Sequence, residues 1–444
     1  MKRWVFVGLA VLSLWLGAAR CSADAGVQTA AELIAAVNRG SPGDTVQIAP
    51  GTYILDTPLL PKAGMTIQGA GADRTIITAP SSWQPDLSRL PQSEDPSAYL
   101  VSCRNTPNVT IANLTLTGAT LPGAIYAWNC DGLELYGLQI QDFLWSGVRT
   151  FKMDHFKVHD NHFIDAGGQE RPTGGALYLT QTQNSEFWNN RILKSPGQTR
   201  NFYGFKGRKG TNLRFHHNDV QVEFSLEFPH ENDRGIEIDH NHFTGPISIP
   251  KRGGGPALNN QFSFHIHHNW LQRSYALEWA RNAAEVDHNL FDFSTDDDGG
   301  NLISSFRREP AQGATRFHDN LIRNPGRGLF WAEGIYNQFS FYNNHVKAAT
   351  TTRPDGFFGF NPKTDFSTIV IRDNIIENTP DRPRPLMRNR QSYAATIENN
   401  RLLHISDSDQ FQNPATGAIQ GPKQPLLFQA GVGGEYQVNG WEVR

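Results

Sequence analysis

A short pattern recurs along the chain and reads VHDNHF at 158–163, IDHNHF at 238–243, VDHNLF at 286–291, FHDNLI at 317–322 and IRDNII at 371–376. Further copies are marked by Asn190, Asn218, Asn269, Asn344 and Asn400, with a degraded pair at Asn113 and Gly137. The twelve copies are 20 to 31 residues apart, which is too short for a domain, so each unit must stack on its neighbours. The flanking residues alternate and are rich in Val, Ile and Phe, as strands are. The pattern therefore predicts a β-solenoid with one copy in each turn.

The repeated Asn is predicted to be structural. Asn tolerates left-handed backbone conformations and hydrogen-bonds its own backbone at turns. Four histidines stand directly before it, namely His217, His240, His268 and His288. Their regular recurrence at one position of the repeat favours packing at a turn over a metal site.

Composition limits the function. The net charge is −3, so the chain lacks the basic field that nucleic-acid binding needs. Residues 1–25 have the pattern of a secretory signal peptide, with Lys2 and Arg3, an apolar run and a small-residue cleavage site near Ala25. We therefore expect a secreted or periplasmic protein with no membrane span.

Cys103 and Cys130 are one repeat apart, so the sequence allows either a disulfide between them or two buried free thiols.

We expect one all-β domain. Residues 28–39 read as a short amphipathic helix that caps the open end of the solenoid. The predicted organisation is a signal peptide at 1–25, the capped solenoid at 26–402 and an irregular C-terminal cap at 403–444. Nothing in the sequence indicates oligomerisation, so a monomer is expected.

The segment GDTVQIAPGTYILDTPLLPKAGMTIQGAG at 43–71 alternates strands and tight turns. With the repeat, it resembles the start of many pectin-lyase-like right-handed parallel β-helix proteins, over essentially the whole mature chain. The resemblance implies about twelve coils of three strands, with the Asn row at the tight turn between the second and third strands.

The first strand of each coil is located by counting residues back from its Asn. These strands carry an unusual number of charged residues. Alternate strand residues face opposite ways, and stacked coils lie about 4.8 Å apart, so these side chains should form an outward strip. Charged residues are disfavoured in strands, which points either to a solvated face or to a carbohydrate-binding cleft. The predicted substrate-binding residues are Arg149, Tyr178, Lys206, Arg208, Glu227, Lys251, Glu278, Trp279, Trp331 and Glu333.

The mixture of cations and aromatic residues suits an acidic polysaccharide, because Arg holds carboxylates bidentately. On a polyuronate, β-elimination requires a neutralised carboxylate and a base for the C5 proton. We predict Lys209 or His230 as the base, and Arg281 and Arg307 as the neutralising groups. Calcium is the candidate cation, with Glu227 and Glu278 as candidate ligands.

Lys209 follows its first strand and resembles in placement the catalytic lysine of the chondroitinase B and alginate lyase family of β-helices. That family has two calcium-binding acids on the strand before its lysine, where this chain has Phe202 and Gly204. Phe228-Pro229-His230-Glu231 resembles the Asp-Pro-His-Asp motif of mannuronan C5-epimerases.

We therefore expect a polysaccharide lyase acting by β-elimination. Three alternatives stay open: a glycoside hydrolase, a C5-epimerase on the same substrates, and a non-catalytic carbohydrate-binding β-helix.

Overall fold

The chain folds into a parallel β-helix, as its computed structural model shows, and the predicted all-β single-domain architecture is confirmed. The described residues are 26–85, 95–167, 174–199, 202–226, 234–249, 264–272, 277–279, 284–293, 301–305, 314–325, 328–332, 338–347, 356–381, 383–387, 394–406, 428–430, 436–438 and 441–443. In the body of the solenoid each strand pairs in parallel with the equivalent strand of the next coil. Side chains at one coil position therefore form rows that run along the solenoid.

Three sets of strands build the coils. The first strands are Tyr99–Arg104, Gly123–Trp128, Ser146–Asp154, Glu223–Leu226, Ile247–Ile249, Leu277–Trp279, Asn301–Ser305, Gly328–Ala332 and Phe358–Gly359. The second strands are Thr45–Gln47, Thr66–Gln68, Thr110–Ala112, Glu134–Tyr136, Lys157–His159, Arg234–Asp239, Phe264–His267, Ala284–Asp287, Thr315–His318, Phe339–Tyr342, Ile369–Arg372 and Thr396–Glu398. Gly175–Trp188 and Tyr203–His216 run through both sets, so first and second strands share one 23-stranded sheet.

The third strands form a separate 14-stranded sheet. They are Gly51–Ile54, Thr75–Thr78, Thr115–Thr117, Gln139–Phe143, His162–Ala166, Arg191–Leu193, Asp219–Val220, His242–Phe243, Trp270–Leu271, Leu290–Asp292, Leu321–Arg323, His345–Lys347, Ile375–Glu377 and Arg401–Leu403. Near the C-terminus, Phe428–Ala430, Tyr436–Val438 and Trp441–Val443 pair antiparallel in a small sheet. Two short 3₁₀ helices occupy Pro96–Ala98 and Phe366–Thr368.

The predicted N-terminal helix is present at Ala30–Arg39. Its start is fixed by two capping hydrogen bonds: the Thr29 hydroxyl accepts from the Glu32 amide at 3.1 Å, and the Glu32 carboxylate accepts from the amide of Gln28, the residue before the N-cap, at 2.8 Å. Leu33 and Val37 bury the apolar face of this helix against the solenoid core. None of the described helices is long and apolar enough to cross a bilayer.

Stacked apolar rows fill the interior. Phe187 and Phe215 lie one coil apart with ring centroids 4.7 Å apart and nearly parallel rings.

Cys103 and Cys130 are buried free thiols, which is one of the two alternatives that the sequence allows. A hydrogen bond from Cys103 lowers the pKa of the Cys130 thiol to about 6.

The repeated Asn forms a continuous buried ladder at the turn between second and third strands. At Asn269 the side-chain amide lies 2.8 Å from the Ile238 carbonyl of the preceding coil and 3.0 Å from the Asn289 side-chain oxygen. The Asn269 side-chain oxygen in turn accepts from the backbone and side-chain amides of Asn241, at 2.9 and 3.0 Å. The same links join Asn161, Asn190, Asn218, Asn241, Asn269, Asn289, Asn320, Asn344, Asn374 and Asn400.

The ladder begins later than the sequence indicates. Asn113 and Gly137 lie one residue earlier in the turn, at a left-handed position with φ of 54° and 60°. Leu138 takes the ladder position of its coil, and its backbone amide donates to the Asn161 side-chain oxygen at 2.9 Å. Assigning Asn113 and Gly137 to the Asn row was therefore wrong by one residue. The left-handed position and the ladder position that follows it both favour Asn, so the sequence alone did not distinguish them.

The residue before each ladder Asn is left-handed, which suits the Asn, Asp and His found there. His217, His240, His268 and His288 occupy it in four consecutive coils, and their rings stack at 5.0, 5.1 and 5.1 Å. The structure thus shows these four histidines packing at the turn. Burial, together with the neighbouring imidazoles His240 and His216, lowers the pKa of His217 to about 4.

Polar side chains on the second strands also link successive coils. Arg214 donates to the Asp239 carboxylate at 3.0 and 2.9 Å, and His240 contacts the same carboxylate at 2.8 Å. The Asp239 side chain is fully buried. Burial by itself would raise the pKa of Asp239, but the hydrogen bonds from His240 and Arg214 outweigh it and hold the pKa below its usual range.

Replacing Asn269 by Ala should destabilise the protein by about 3 kcal/mol or more, because it leaves several buried backbone and amide groups without partners. Urea unfolding monitored by circular dichroism would measure this change. Asn400→Ala is the matched control, since Asn400 ends the described ladder and is only partly buried. Equal losses for the two variants would contradict an energetic role for the continuous ladder.

Asp239 should make stability depend on pH. Its folded pKa is lowered, so its contribution is present above the unfolded pKa of about 3.9 and is lost as the pH falls through the folded value. Asp239→Asn should cost about 2 kcal/mol at neutral pH and should reduce the loss of stability between about pH 5 and pH 2. Urea unfolding across that range measures both effects. Asp160→Asn, at an exposed turn position, should change stability by less than about 0.5 kcal/mol; a change as large as that of Asp239→Asn would count against the assignment.

Candidate functional site

One row of outward positions crosses the first strands from end to end. By strand register it contains Ser102, Tyr126, Arg149, Tyr178, Lys206, Ser225, Ser248, Glu278, Ser304, Trp331 and Gly359. A second row, two residues further along each strand, contains Arg104, Trp128, Phe151, Thr180 and Arg208. Among the described residues of these two rows, the cations lie in the coils from Arg104 to Arg208.

Tyr178 is the centre of this concentration. The guanidinium of Arg149 lies 4.6 Å from the centre of the Tyr178 ring, that of Arg208 lies 5.8 Å away, and the Lys206 ammonium lies 5.9 Å away. Tyr178 is only 5% exposed, so the ring lies beneath the cations. Cations over an aromatic face are held by the ring quadrupole, which gives these long side chains fixed positions.

Lys206 is the most buried of the cations, at 2% exposure. Its ammonium lies 4.2 Å from the centre of the Tyr203 ring, so it is held between two tyrosines on neighbouring coils. Arg149 and Arg208 are more open to solvent. A ligand approaching this face therefore meets the two guanidinium groups before the lysine.

Lys209 lies at the turn that follows the first-strand part of Tyr203–His216, with a left-handed φ of 58°. Lys152 and Gln181 occupy the equivalent turn position in the two preceding coils, with φ of 53° and 54°. Lys209 is exposed, and its ammonium forms no ion pair with any described residue. It borders the Tyr178 cluster because its neighbour Arg208 contacts that ring.

Aromatic rings extend the site toward the N-terminal coils. Trp128 and Phe151 stack with centroids 5.4 Å apart. Arg104 and Lys152 lie 5.9 and 5.4 Å from the centre of the Trp128 ring. We define the cationic strip as Arg104, Trp128, Arg149, Phe151, Lys152, Tyr178, Tyr203, Lys206, Arg208 and Lys209.

The strip joins positive charge to aromatic surface, and its ten residues include no carboxylate. Among the described residues, the acid nearest in register is Glu223, opposite Tyr203 on the following coil. Arg and Lys bind carboxylates or sulfates through charge-assisted hydrogen bonds, and exposed aromatic surface can pack against sugar rings. The arrangement is thus suited to binding an anionic carbohydrate.

Five of the predicted site residues meet in the strip. They are Arg149, Tyr178, Lys206, Arg208 and Lys209. Trp331 shares the first row but lies five coils beyond Lys206, about 24 Å away at the usual coil spacing, so it does not meet the same sugar. Trp331 as a substrate-binding residue stays a prediction.

Two serines separate the charged members of the first row. Ser225 and Ser248 follow Lys206 in the row, where the sequence analysis placed Glu227 in the outward set. Glu278 holds the row position after Ser248. The side chains of Glu278 and Trp279, and the residues Glu227, His230, Lys251, Arg281, Arg307 and Glu333, lie outside the described part of the structure, so their assignments stay predictions.

Five strip residues are not among the predicted site residues, namely Arg104, Trp128, Phe151, Lys152 and Tyr203. The coils of Arg104 and Trp128 precede the coil that Asn161 marks, and no ladder Asn marks them. The strands YLVSCR at 99–104 and GAIYAW at 123–128 carried the available signal, since an aromatic or charged residue alternates with small ones.

The residues present do not fit the calcium site of the lyase family at the strand before Lys209. Phe202 is buried, and a side chain at Gly204 would point inward onto Val220 and Val222. Neither position offers an oxygen ligand, which calcium requires. The reaction proposed for this protein therefore includes no step that uses calcium.

Comparison with known proteins supports the fold. No protein-family model and no curated protein matches the chain. Among solved structures, it is similar to a variant of AlyGC, an alginate lyase of the PL6 family, at 10% identity and a TM-score of 0.53, covering 93% of this chain and 55% of that enzyme. The match therefore spans about half of the enzyme's length.

Two further structures share the architecture. The catalytic unit of a thermostable GH87 α-1,3-glucanase from Streptomyces thermodiastaticus matches at 13% identity and a TM-score of 0.51, over 83% of this chain and 71% of that one. PfbA, a surface adhesin of Streptococcus pneumoniae, matches at 11% identity and a TM-score of 0.52, over 72% and 88%. The chain thus has the parallel β-helix fold found in a polysaccharide lyase, a glycoside hydrolase and an adhesin.

Proposed function

We propose that this protein is an exported polysaccharide lyase that cleaves a uronate-containing polysaccharide by β-elimination at the cationic strip. The observation that carries the proposal is the cluster at Tyr178, where three cations surround one buried ring beside the exposed Lys209. The leader pattern at residues 1–25 supports export.

The charge of the strip supports an acidic polymer as the substrate. Its six cations, from Arg104 to Lys209, span five coils, or roughly 20 Å. Cations crowded this way repel one another, and a polyanion lying along them would relieve the repulsion. A neutral glucan would leave the repulsion in place.

The proposed reaction needs three actions at one uronate residue. Arg149 and Arg208 bind the carboxylate and stabilise the charge that develops on it. Lys209 acts as the base that removes the C5 proton, and the electron pair of that C–H bond forms the C4–C5 double bond. The C4–O bond breaks, and the leaving oxygen takes a proton from the protonated Lys209 or from water.

The described strip favours elimination over hydrolysis. A glycoside hydrolase of the usual kind places two carboxylates about 5 to 10 Å apart around the scissile bond. The ten strip residues supply none, whereas they supply both the neutralising cations and a base that elimination requires. His230 as an alternative base, with Arg281 and Arg307 as neutralising groups, stays a prediction.

Purified protein should generate unsaturated uronate ends from at least one polyuronate or glycosaminoglycan. The double bond conjugated to the carboxylate absorbs in the ultraviolet, so continuous absorbance over a substrate panel measures it. New reducing ends without this absorbance would overturn the lyase in favour of a hydrolase. Exchange of the C5 proton with solvent deuterium, with no cleavage, would indicate an epimerase, and binding alone would indicate a carbohydrate-binding protein.

Lys209→Gln should lower kcat about 10²- to 10⁴-fold, because it removes the proposed base. Gln is tolerated at this turn, since Gln181 has the same left-handed conformation one coil earlier. The matched control is Lys152→Gln, which removes an exposed lysine from the equivalent turn position two coils away. The control should change KM by a few fold and leave kcat nearly intact. Equal kcat losses in both variants would contradict a base at Lys209.

Arg149→Gln should raise the Kd for the acidic polymer about tenfold or more, because it removes a charge-assisted contact. The salt dependence of binding should weaken as well, since one fewer cation meets the polymer. Arg191→Gln is the control on the third-strand sheet, where Arg191 lies 3.7 Å from Asp219. Isothermal titration calorimetry at two salt concentrations measures both effects. An unchanged Kd for Arg149→Gln would place the polymer elsewhere on the molecule.

A further inference from the structure

A second cluster of side chains, with carboxylate and imidazole groups, lies on the second strands, separate from the cationic strip. Glu237, His265 and His267 each present one potential ligand atom, and these atoms all lie within 4.8 Å of one another. His267 Nε2 is 3.0 Å from a Glu237 carboxylate oxygen, and the His265 and His267 ring centres are 4.0 Å apart. All three side chains are partly exposed, so an ion has access from solvent.

The three residues come together because of the coil register. Glu237 pairs with His265 of the next coil four residues before the ladder Asn, and His267 follows two residues later on the same outward face. The ladder at Asn241 and Asn269 fixes the two coils relative to each other. The cluster therefore lies on a rigid part of the solenoid.

Strand position alone does not explain the cluster. The position four residues before the turn alternates acid and base from coil to coil: Glu134, Lys157, Glu186, Arg214, Glu237, His265, Glu285 and Arg316. Every basic member except His265 is Lys or Arg, which do not serve as metal ligands here. His265 keeps the alternation and adds an imidazole.

Equivalent contacts between an acid and a histidine occur at two other places on the second strands. Glu186 contacts His216 at 2.9 Å, and Glu285 contacts His318 at 3.2 Å, in the same geometry as Glu237 with His267. In those two places the neighbouring basic residue is Arg214 or Arg316. Among these three acid–histidine pairs, a second imidazole accompanies only Glu237.

We propose that Glu237, His265 and His267 form a binding site for a divalent transition-metal ion of the zinc type. Two imidazoles and one carboxylate are a ligand set that zinc uses with a fourth, open position. A tetrahedral ion at about 2.0 Å from each ligand needs ligand atoms about 3.3 Å apart. Glu237 and His267 are already that close, and the candidate ligand atom of the half-exposed His265 lies within 4.8 Å of theirs.

Supporting contacts orient both imidazoles. His265 Nε2 lies 2.7 Å from the Asp287 carboxylate, and His267 Nδ1 lies 2.8 Å from His268 Nδ1. When His267 Nε2 holds the ion, its Nδ1 carries the proton and donates to His268. Metal-bound histidines usually have such a partner, and it fixes the tautomer that binds. If His265 binds through Nδ1, its Nε2–H keeps the bond to Asp287.

The test is zinc titration of metal-free full-length protein, followed by isothermal titration calorimetry and by a coloured chelator in competition. The wild type should bind one equivalent tightly enough to compete with the chelator. Glu237→Gln, His267→Gln and His265→Arg should each weaken binding about 10- to 100-fold or more. Zinc X-ray absorption of the loaded protein should show two imidazole nitrogens and a carboxylate oxygen.

His265→Arg separates metal binding from structure. Arg at this position preserves the alternation of charge, as Arg214 does when it pairs with Asp239. The variant should therefore unfold at nearly the wild-type urea concentration while losing zinc. Wild-type zinc affinity in this variant would overturn the proposal, as would the absence of zinc binding by the wild type.

Two further variants test the geometry. Glu186→Gln removes the equivalent acid beside His216 and should leave zinc binding unchanged; an equal loss there would mean nonspecific binding to surface histidines. Arg214→His gives Glu186 and His216 the second imidazole they lack, and should add a second equivalent of zinc. One equivalent in that variant would contradict the geometric argument. None of these outcomes depends on lyase activity, because the variants lie outside the cationic strip.

Discussion

The asparagine ladder is the interaction on which the rest of the solenoid depends. Each interior member gives the amide protons and carbonyl groups of a tight turn their partners, at a place where water has no access. An unpaired buried polar group costs about 1 to 3 kcal/mol, so a break in the row from Asn161 to Asn400 would destabilise the turns beside it. Since each side-chain oxygen accepts from the previous coil, the ladder also sets the register between coils. The parallel hydrogen bonds between strands hold the same register in the sheets on either side of the turn.

That alignment imposes an electrostatic rule, because side chains at one coil position lie about 4.8 Å apart. Like charges in adjacent coils would repel strongly. The second strands satisfy the rule by alternating acid and base, from Glu134 to Arg316. The stacked histidines satisfy it differently: burial and the neighbouring imidazoles lower the pKa of His217 and His268 to about 4, so these rings are neutral at pH 7.

The cationic strip departs from this rule. Arg149 and Lys206 are separated by Tyr178 rather than by an acid, and Arg208 adds a third positive charge to the same ring. Aromatic rings keep the cations in place without neutralising them. The guanidinium groups of Arg149 and Arg208 lie on the side of this ring that is more open to solvent, and this is why the proposed activity is assigned to the strip and not to the second-strand face. The similar structures show that the architecture itself hosts a lyase, a glucanase and an adhesin, so the chemistry must come from such local departures.

The sequence by itself determined the repeat, the parallel β-helix, the helical cap at Ala30–Arg39 and the structural role of Asn, because stacking forces the same residue types to recur at each coil. It also located five residues of the strip, since charges and aromatics in a strand are conspicuous. Only the tertiary structure decided which coils share a neighbourhood: Arg104, Trp128 and Phe151 enter the strip, and Trp331 lies far from it. The tertiary structure alone also brought Glu237, His265 and His267 together. Coil lengths vary from 20 to 31 residues, so spacing along the chain does not give the register, whereas hydrogen bonds between strands fix it residue by residue.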